Sequence, residues 1–243
     1  MLDSNKDIIV VITQPMYFPW IGMLVQIRAS SRLVYYNDVQ FSRGFVNRVQ
    51  IKTEQGSSYM TIPLAKHPQS VKIDALESSE LIDWRSKHRA QFLTAYRRAP
   101  HLDDAISLLD NVHAFPSESV AEISQYSMDQ LGKYFGILPN TPPVLSSSLG
   151  IGGHGSQRIL DIVRACEGKI YLTGHGARNY LSHEAFEDVG IDVKYVDYQI
   201  PKYRQLHGAF TPYVSSLDLV ANHGTEGLEY IESPLAGWKQ FIS

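Results

Sequence analysis

Hydrophobic and polar positions change rhythm twice along this chain, and the changes outline its organisation. Residues 8–13, I-I-V-V-I-T, are a short apolar run ended by a proline-bearing turn, Q-P-M-Y-F-P-W. Such a run predicts a buried strand of a mostly parallel sheet. A helix over 21–29 and a second strand over 33–37 complete a βαβ half-unit, with Pro15 and Pro19 keeping the turn between them irregular. Period-two alternation then takes over: V-Q-I-K-T and Y-M-T-I-P-L flank the turn E-Q-G-S-S. That pattern predicts a β-hairpin, with V-K-I-D-A-L as a third strand, so that 48–76 form an antiparallel insertion.

Helical periodicity follows over 78–136. Ser78 and Ser79 are candidate caps for a helix whose Leu81, Trp84, His88, Phe92 and Ala95 share one face, ending before Pro100. A shorter helix is expected over 102–109. Ser119-Val-Ala-Glu122 reads as a capping box opening a third, which stops at Gly136. Beyond Pro142 and Pro143 the parallel pattern returns: strand V-L-S-S-S, glycine loop G-I-G-G-H-G-S, helix 156–167, strand K-I-Y-L-T-G, helix 178–189, strand I-D-V-K-Y-V-D-Y and a last helix over 216–223. The fold class expected is therefore α/β: a Rossmann-like, mostly parallel sheet with an antiparallel hairpin insertion and flanking helices, built as one domain over 1–243.

Composition narrows the class. The 243 residues are 44% hydrophobic and 19% charged, which describes a globular chain rather than a disordered one. A formal net charge of -3 gives no bulk attraction to nucleic acid or anionic membranes. A single cysteine, Cys166, excludes an internal disulfide and fits a reducing compartment. The N-terminus M-L-D-S-N-K-D lacks the pattern of a signal peptide, and no window is apolar enough for a membrane span. A cytoplasmic protein is the expectation.

Candidate chemistry collects where the first strands end, the place where open α/β sheets bind ligands. Gln14 sits at the end of the first strand. Tyr17 and Trp20 offer amphipathic faces to a ring, or else plug the core with Phe18. Asp38 and Gln40 leave the second strand two residues apart, on one side; Asp38 is a candidate general base or the acceptor of an Asx-turn. Asn47, Arg48 and Lys52 add donors and positive charge suited to carboxylate or phosphate. His88 lies on an apolar stripe, where a histidine is commonly a hydrogen-bonded core group; facing a cleft with Asp38 it would be a general acid/base. The glycine loop before residue 156 could cradle phosphate, with His154 read as a loop residue, and T-G-H-G brings His175 to a strand end. There is no G-x-G-x-x-G, no G-x-S-x-G and no paired-histidine metal motif, so no structural metal is expected and no cofactor is specified.

Taken together, Q-P-M-Y-F-P-W-I-G-M, N-D-V-Q-F, N-R-V-Q-I-K, W-R-S-K-H, Y-R-R-A-P, Y-L-T-G and S-L-D-L resemble the WbqC-like proteins over nearly the whole chain. Those proteins occur in bacterial clusters for O-antigen and related surface glycans, and a glycine-transferase role has been suggested for some. The resemblance implies a transferase joining an aminoacyl or acyl group to an amino sugar or glycan precursor as an amide. It also implies association with glycan-assembly enzymes. The matching positions are Gln14, Tyr17, Pro19, Trp20, Asp38, Gln40, Asn47, Arg48, Lys52, Trp84, His88 and Tyr96. On this reading His88 or Asp38 deprotonates the amine, Tyr17 and Trp20 flank a ring, and Arg48 and Lys52 hold an anionic group. A non-catalytic glycan- or nucleotide-binding protein is the alternative from another class. The opening strand, proline turn and helix also resemble the nucleotidylyltransferase-like fold, which implies an ATP-using ligase. Where that fold carries H-x-G-H, however, this chain reads W-I-G-M at Trp20–Met23, without either histidine.

Overall fold

The computed structural model describes residues 7–242; residues 1–6, which carry most of the N-terminal stretch read above for targeting, lie outside them. The elements run β1 (Ile9–Thr13), α1 (Ile21–Ala29), β2 (Arg32–Tyr35), β3 (Arg48–Thr53), β4 (Gly56–Thr61), α2 (Trp84–Tyr96), α3 (Leu102–His113), α4 (Val120–Tyr134), β5 (Val144–Leu145), α5 (Gly155–Ala165), β6 (Ile170–Thr173), α6 (His183–Glu187), β7 (Asp192–Val196), α7 (Ser216–His223), β8 (Leu235–Gly237) and α8 (Trp238–Ile242). Six strands form one sheet in the order β5-β2-β1-β6-β7-β8, parallel except for β8. Counting only these strands along the chain, the order is that of the doubly wound dinucleotide-binding sheets. β3 and β4 form a separate antiparallel hairpin. The fold is thus α/β with a mostly parallel sheet, a hairpin and flanking helices.

Pleating explains the two cores. Val11, Leu33, Tyr35, Leu172 and Val196 face a large core shared with α1, α2, α3, α4, α7 and the hairpin. Val10, Ile12, Val34, Tyr171, Val193 and Tyr195 point the other way, onto α5 and α6. Successive residues of a strand alternate sides, so a strand covered on both faces must be apolar throughout. That is why β1 reads as an unbroken apolar run.

Several local expectations are corrected. The segment around Val71–Leu76 is a 3-10 turn at Ile73–Ala75 instead of a third hairpin strand. α2 begins at Trp84, where the Asp83 carboxylate accepts from the Ser86 N–H at 3.0 Å. Ser78 and Ser79 are instead held in extended backbone by Glu118 and Pro63 carbonyls, leaving Leu81 94% exposed. α3 runs to His113, further than expected. The continuous helix expected over 178–189 is a 3-10 turn, His175–Asn179, followed by the short α6. Its break falls where the Ser182 N–H turns away to the Ser156 hydroxyl at 2.9 Å. In V-L-S-S-S only Val144–Leu145 pair as a strand. β8 and α8, near the C-terminus, are 3 and 5 residues long, too short to show a period.

Candidate functional site

The connection leaving β1 packs α1 on one face of the sheet and the connection leaving the neighbouring β6 packs α6 on the other, so the two loops part at the carboxyl ends of these strands and leave a crevice. A cavity of about 1060 Å³ occupies that place. Gln14 enters from the end of β1, Asp38 and Gln40 from beyond β2, and Thr173 and His175 from the end of β6.

One wall is the glycine loop. Gly150, Gly153 and Gly155 have φ of +65°, +86° and +63°, a region that favours glycine. The loop delivers the first turn of α5 to the cavity, and the N-cap residue His154 makes no side-chain capping bond. The N–H groups of that turn therefore keep their capacity to receive an anion.

An aromatic wall stands across from it. The Trp20 ring lies 4.8 Å from that of Tyr198, whose hydroxyl accepts from the buried Gln26 amide at 2.9 Å. Two glycines make room for the pair. A Cβ on Gly22 would come within 2.3 Å of the Trp20 indole, and one on Gly174 within 2.3 Å of the Tyr198 hydroxyl. The glycine of W-I-G-M thus lets the indole lie on the start of α1.

The floor carries a charge pair. Arg158 Nη2 donates to Asp38 Oδ2 at 2.5 Å, and Arg158 Nε donates to the Ile151 carbonyl at 3.0 Å, tying the glycine loop to β2. Ser146 donates to the other Asp38 oxygen. Burial works to raise the Asp38 pKa, but the Ser146 and Arg158 hydrogen bonds and the guanidinium charge together hold it below the ordinary carboxylate value. Asp38 is consequently ionised and spoken for at neutral pH, which suits an anchor better than a proton acceptor. His175 differs: its Nε2 donates to the Val196 carbonyl at 3.0 Å, which fixes the tautomer of the neutral ring and leaves Nδ1 as an acceptor.

The residues singled out from sequence fall into separate places. Gln14, Trp20, Asp38, Gln40 and His175 line this cavity. Tyr17 and His88 are instead in the core, 0% and 2% exposed, linked to each other and to His113. The structure therefore does not bring His88 to Asp38. Burial lowers the His88 pKa to about 4, so its ring is neutral. Lys52 and Tyr96 belong to a buried network: Lys52 Nζ donates to Gln205 and to the Ala209 carbonyl, and Tyr96 donates to Asp218. Asn47 and Arg48 line a second, smaller cleft. Tyr198 and Arg158 also line the main cavity, and neither is among the residues that the motifs single out. Arg158 had a signal in the sequence, since it is a basic residue on the buried face of an amphipathic helix directly after a glycine loop.

A Rossmann-like sheet with a ligand-sized crevice at its switch point defines the class of protein. The WbqC-like protein family profile matches residues 14–230, and the chain belongs to that family. It is similar to the uncharacterized protein Rv1507c of Mycobacterium tuberculosis (strain ATCC 25618 / H37Rv), 26% identical over 228 residues that cover 91% of this chain and 96% of the relative. No solved structure matches it. Among the described residues no helix is long and apolar enough to cross a membrane, and no three His, Cys, Asp or Glu side chains group as a metal site.

Proposed function

We propose that the chain binds a phosphate-bearing glycan precursor in the main crevice and transfers an acyl or aminoacyl group to its amine, forming an amide in bacterial surface polysaccharide synthesis. The observation that carries the binding half is the convergence of the glycine loop, the α5 N-terminus and the Trp20–Tyr198 wall on one cavity at the strand ends. The amide half rests on the resemblance to WbqC-like proteins. In this reading the phosphate lies against the loop and the first turn of α5. The ring of the precursor packs on Trp20 and Tyr198, and Gln14 and Gln40 bond its polar edge. His175 Nδ1 takes the proton as the amine nitrogen attacks the carbonyl carbon of an activated donor such as a thioester. The C–N bond forms, the C–S bond breaks and the thiolate leaves.

A non-catalytic binding protein is the second reading, favoured by the fact that Asp38 is held by Arg158 and His88 is buried. One experiment separates the two. Purified protein is incubated with an acyl thioester and an amino-sugar nucleotide, and the product is weighed by mass spectrometry. The transferase reading expects an amide product, formed about 10²-fold or more slowly by His175→Asn, since a positioned general base contributes roughly 10²–10⁴-fold. Binding of the nucleotide without product from any donor would leave the accessory role standing. Product only with ATP and the free acid would instead make the chain a ligase.

A further inference from the structure

A second cleft, of about 530 Å³, lies between the segment entering β3 and the segment leaving β4. Its charged lining is cationic: Arg43 and Arg48 come from the first segment and Lys66 from the second, with His67 beside it. The geometry points to this cleft as an anion-binding site, separate from the main crevice, that takes a diphosphate group.

Three observations carry this. First, these cations lack the carboxylate partner that Arg85, Arg89, Arg97 and Arg158 find as an ion pair in Glu80, Asp110, Glu54 and Asp38. Arg43, Arg48 and Lys66 form none among the described residues, and no carboxylate lines the cleft, in a chain whose net charge is -3. Second, Arg48 is held in place. The Arg48 guanidinium lies 4.8 Å over the Tyr59 ring, opposite Thr61 in the hairpin register. That stacking leaves its in-plane N–H donors free for a bidentate contact. His67 Nδ1 donates to the Pro68 carbonyl, leaving Nε2 for the cleft. Third, the walls are fixed to each other. Asn47 Nδ2 donates to the Ile62 carbonyl at 3.0 Å, and the Ile62 N–H donates to the Asn47 carbonyl at 2.8 Å. Cations on both walls of a braced cleft match a ligand with two or more negative charges better than a single carboxylate.

The loop 43–48 contributes to both cavities: Phe45 lines the main crevice, whereas Arg43 and Arg48 line the cationic cleft. A diphosphate here could belong to a soluble nucleotide conjugate or to a polyprenyl carrier, which present the same group. The site does not depend on the transferase reading, because its readout is local.

The test is a titration of isotopically labelled protein with inorganic diphosphate, following backbone amide shifts. We expect saturable shifts over residues 61–67 whose midpoint weakens at least about tenfold in the Arg43→Gln/Arg48→Gln variant, since a charge-assisted hydrogen bond contributes on the order of a tenfold change in affinity. Both side chains reach solvent, so the variant should keep its fold. It should also keep any response at Gly150–Gly155, the loop of the main crevice. No saturable shift over 61–67, or shifts there unaffected by the double substitution, would overturn the assignment whatever happens at the glycine loop. Competition with a nucleoside diphosphate and with a short-chain polyprenyl diphosphate then identifies the source by which displaces the probe at lower concentration.

Discussion

The Tyr17 hydroxyl donates to Nδ1 of His88 across 3.1 Å, joining the first loop to α2 inside the core. The direction is fixed by chemistry: His88 Nε2 must donate to the Thr61 carbonyl at 3.1 Å, so in the neutral ring Nδ1 can only accept. Tyr17 in turn accepts from His113 Nε2 at 2.9 Å. One proton arrangement therefore satisfies every partner, and it requires His88 to be uncharged.

Acid should undo that arrangement. Burial lowers the pKa of His88 to about 4 and that of His113 to about 3, against an ordinary value near 6.5. Between these limits the unfolded chain binds more protons than the folded one, so stability is fully present above about pH 6.5 and declines as pH falls towards 4 and then 3. Each histidine contributes up to about 1.4 kcal/mol per pH unit in its window. The Tm measured from pH 7.5 to 4.5 should fall in wild type and fall less steeply in His113→Gln. Parallel curves for the two proteins would remove the histidines as the cause.

A glycine inside a helix usually gains stability on conversion to alanine, by roughly 0.5–1 kcal/mol. Gly22 should do the opposite, because the new Cβ would meet the Trp20 indole at 2.3 to 2.5 Å. Overpacking of this kind costs about 1–3 kcal/mol. The sign should reverse when the indole is absent: Gly22→Ala is expected to destabilise wild type and to stabilise the Trp20→Ala protein. Urea unfolding of the four proteins in this cycle measures the coupling, and a destabilisation that persists in Trp20→Ala would place the constraint elsewhere.

What the sequence disclosed follows from what each signal measures. The unbroken apolar run of β1 and the alternating hairpin were legible because burial on two faces or one dictates them residue by residue. Gln14, Trp20, Asp38, Gln40 and His175 were legible as cavity residues because the carboxyl ends of parallel strands are where such cavities form. The apolar stripe and the aromatic loop allow a core place for His88 and Tyr17, yet the two pair with each other over 71 residues of chain, and no local pattern announces such a pairing. The same is true of Lys52 and Asp218: a lysine in an alternating strand reads as exposed until the loop carrying Gln205 and Ala209 covers it. Tyr198 joins the main cavity only because Gly174 and Gly22 clear the space for its ring and for Trp20.

Asp38 should be silent in any pH profile near neutrality. Its carboxylate is held below the ordinary range by Ser146 and Arg158 in spite of burial. A lowered pKa means that the stability from this pair is present above the unfolded value near 3.8 and is lost only as pH falls below it. Asp38→Asn should therefore leave the pH dependence of ligand binding between pH 6 and 8 unchanged while weakening affinity, because Arg158 and the glycine loop lose their anchor. Binding isotherms at three pH values test both halves, and a shifted profile in Asp38→Asn would return the general-base role to Asp38.

The most damaging single substitution should fall outside both cavities, at Asp218. Its side chain is fully buried and accepts from Tyr96 at 2.8 Å, Tyr203 at 2.9 Å and Gln205 at 2.8 Å. Gln205 and the Ala209 carbonyl in turn receive Lys52 Nζ, whose positive charge acts on Asp218 through this network. Removing the carboxylate leaves two buried phenols without an acceptor, takes one acceptor from the Gln205 amide, which keeps the Thr211 carbonyl, and strips the ammonium group of its nearby negative charge. Loss of one member of a buried, hydrogen-bonded charge network costs about 3–5 kcal/mol. Asp218→Ala should lie in that range by urea unfolding, and Asp218→Asn should cost less because the amide oxygen still accepts. Lys52→Met should cost less than Asp218→Ala, since the three donors to Asp218 remain in place and the aliphatic chain fills the same volume. If Lys52→Met proved the worse of the two, the ammonium group rather than the carboxylate would be the element that holds the 203–211 loop onto α7.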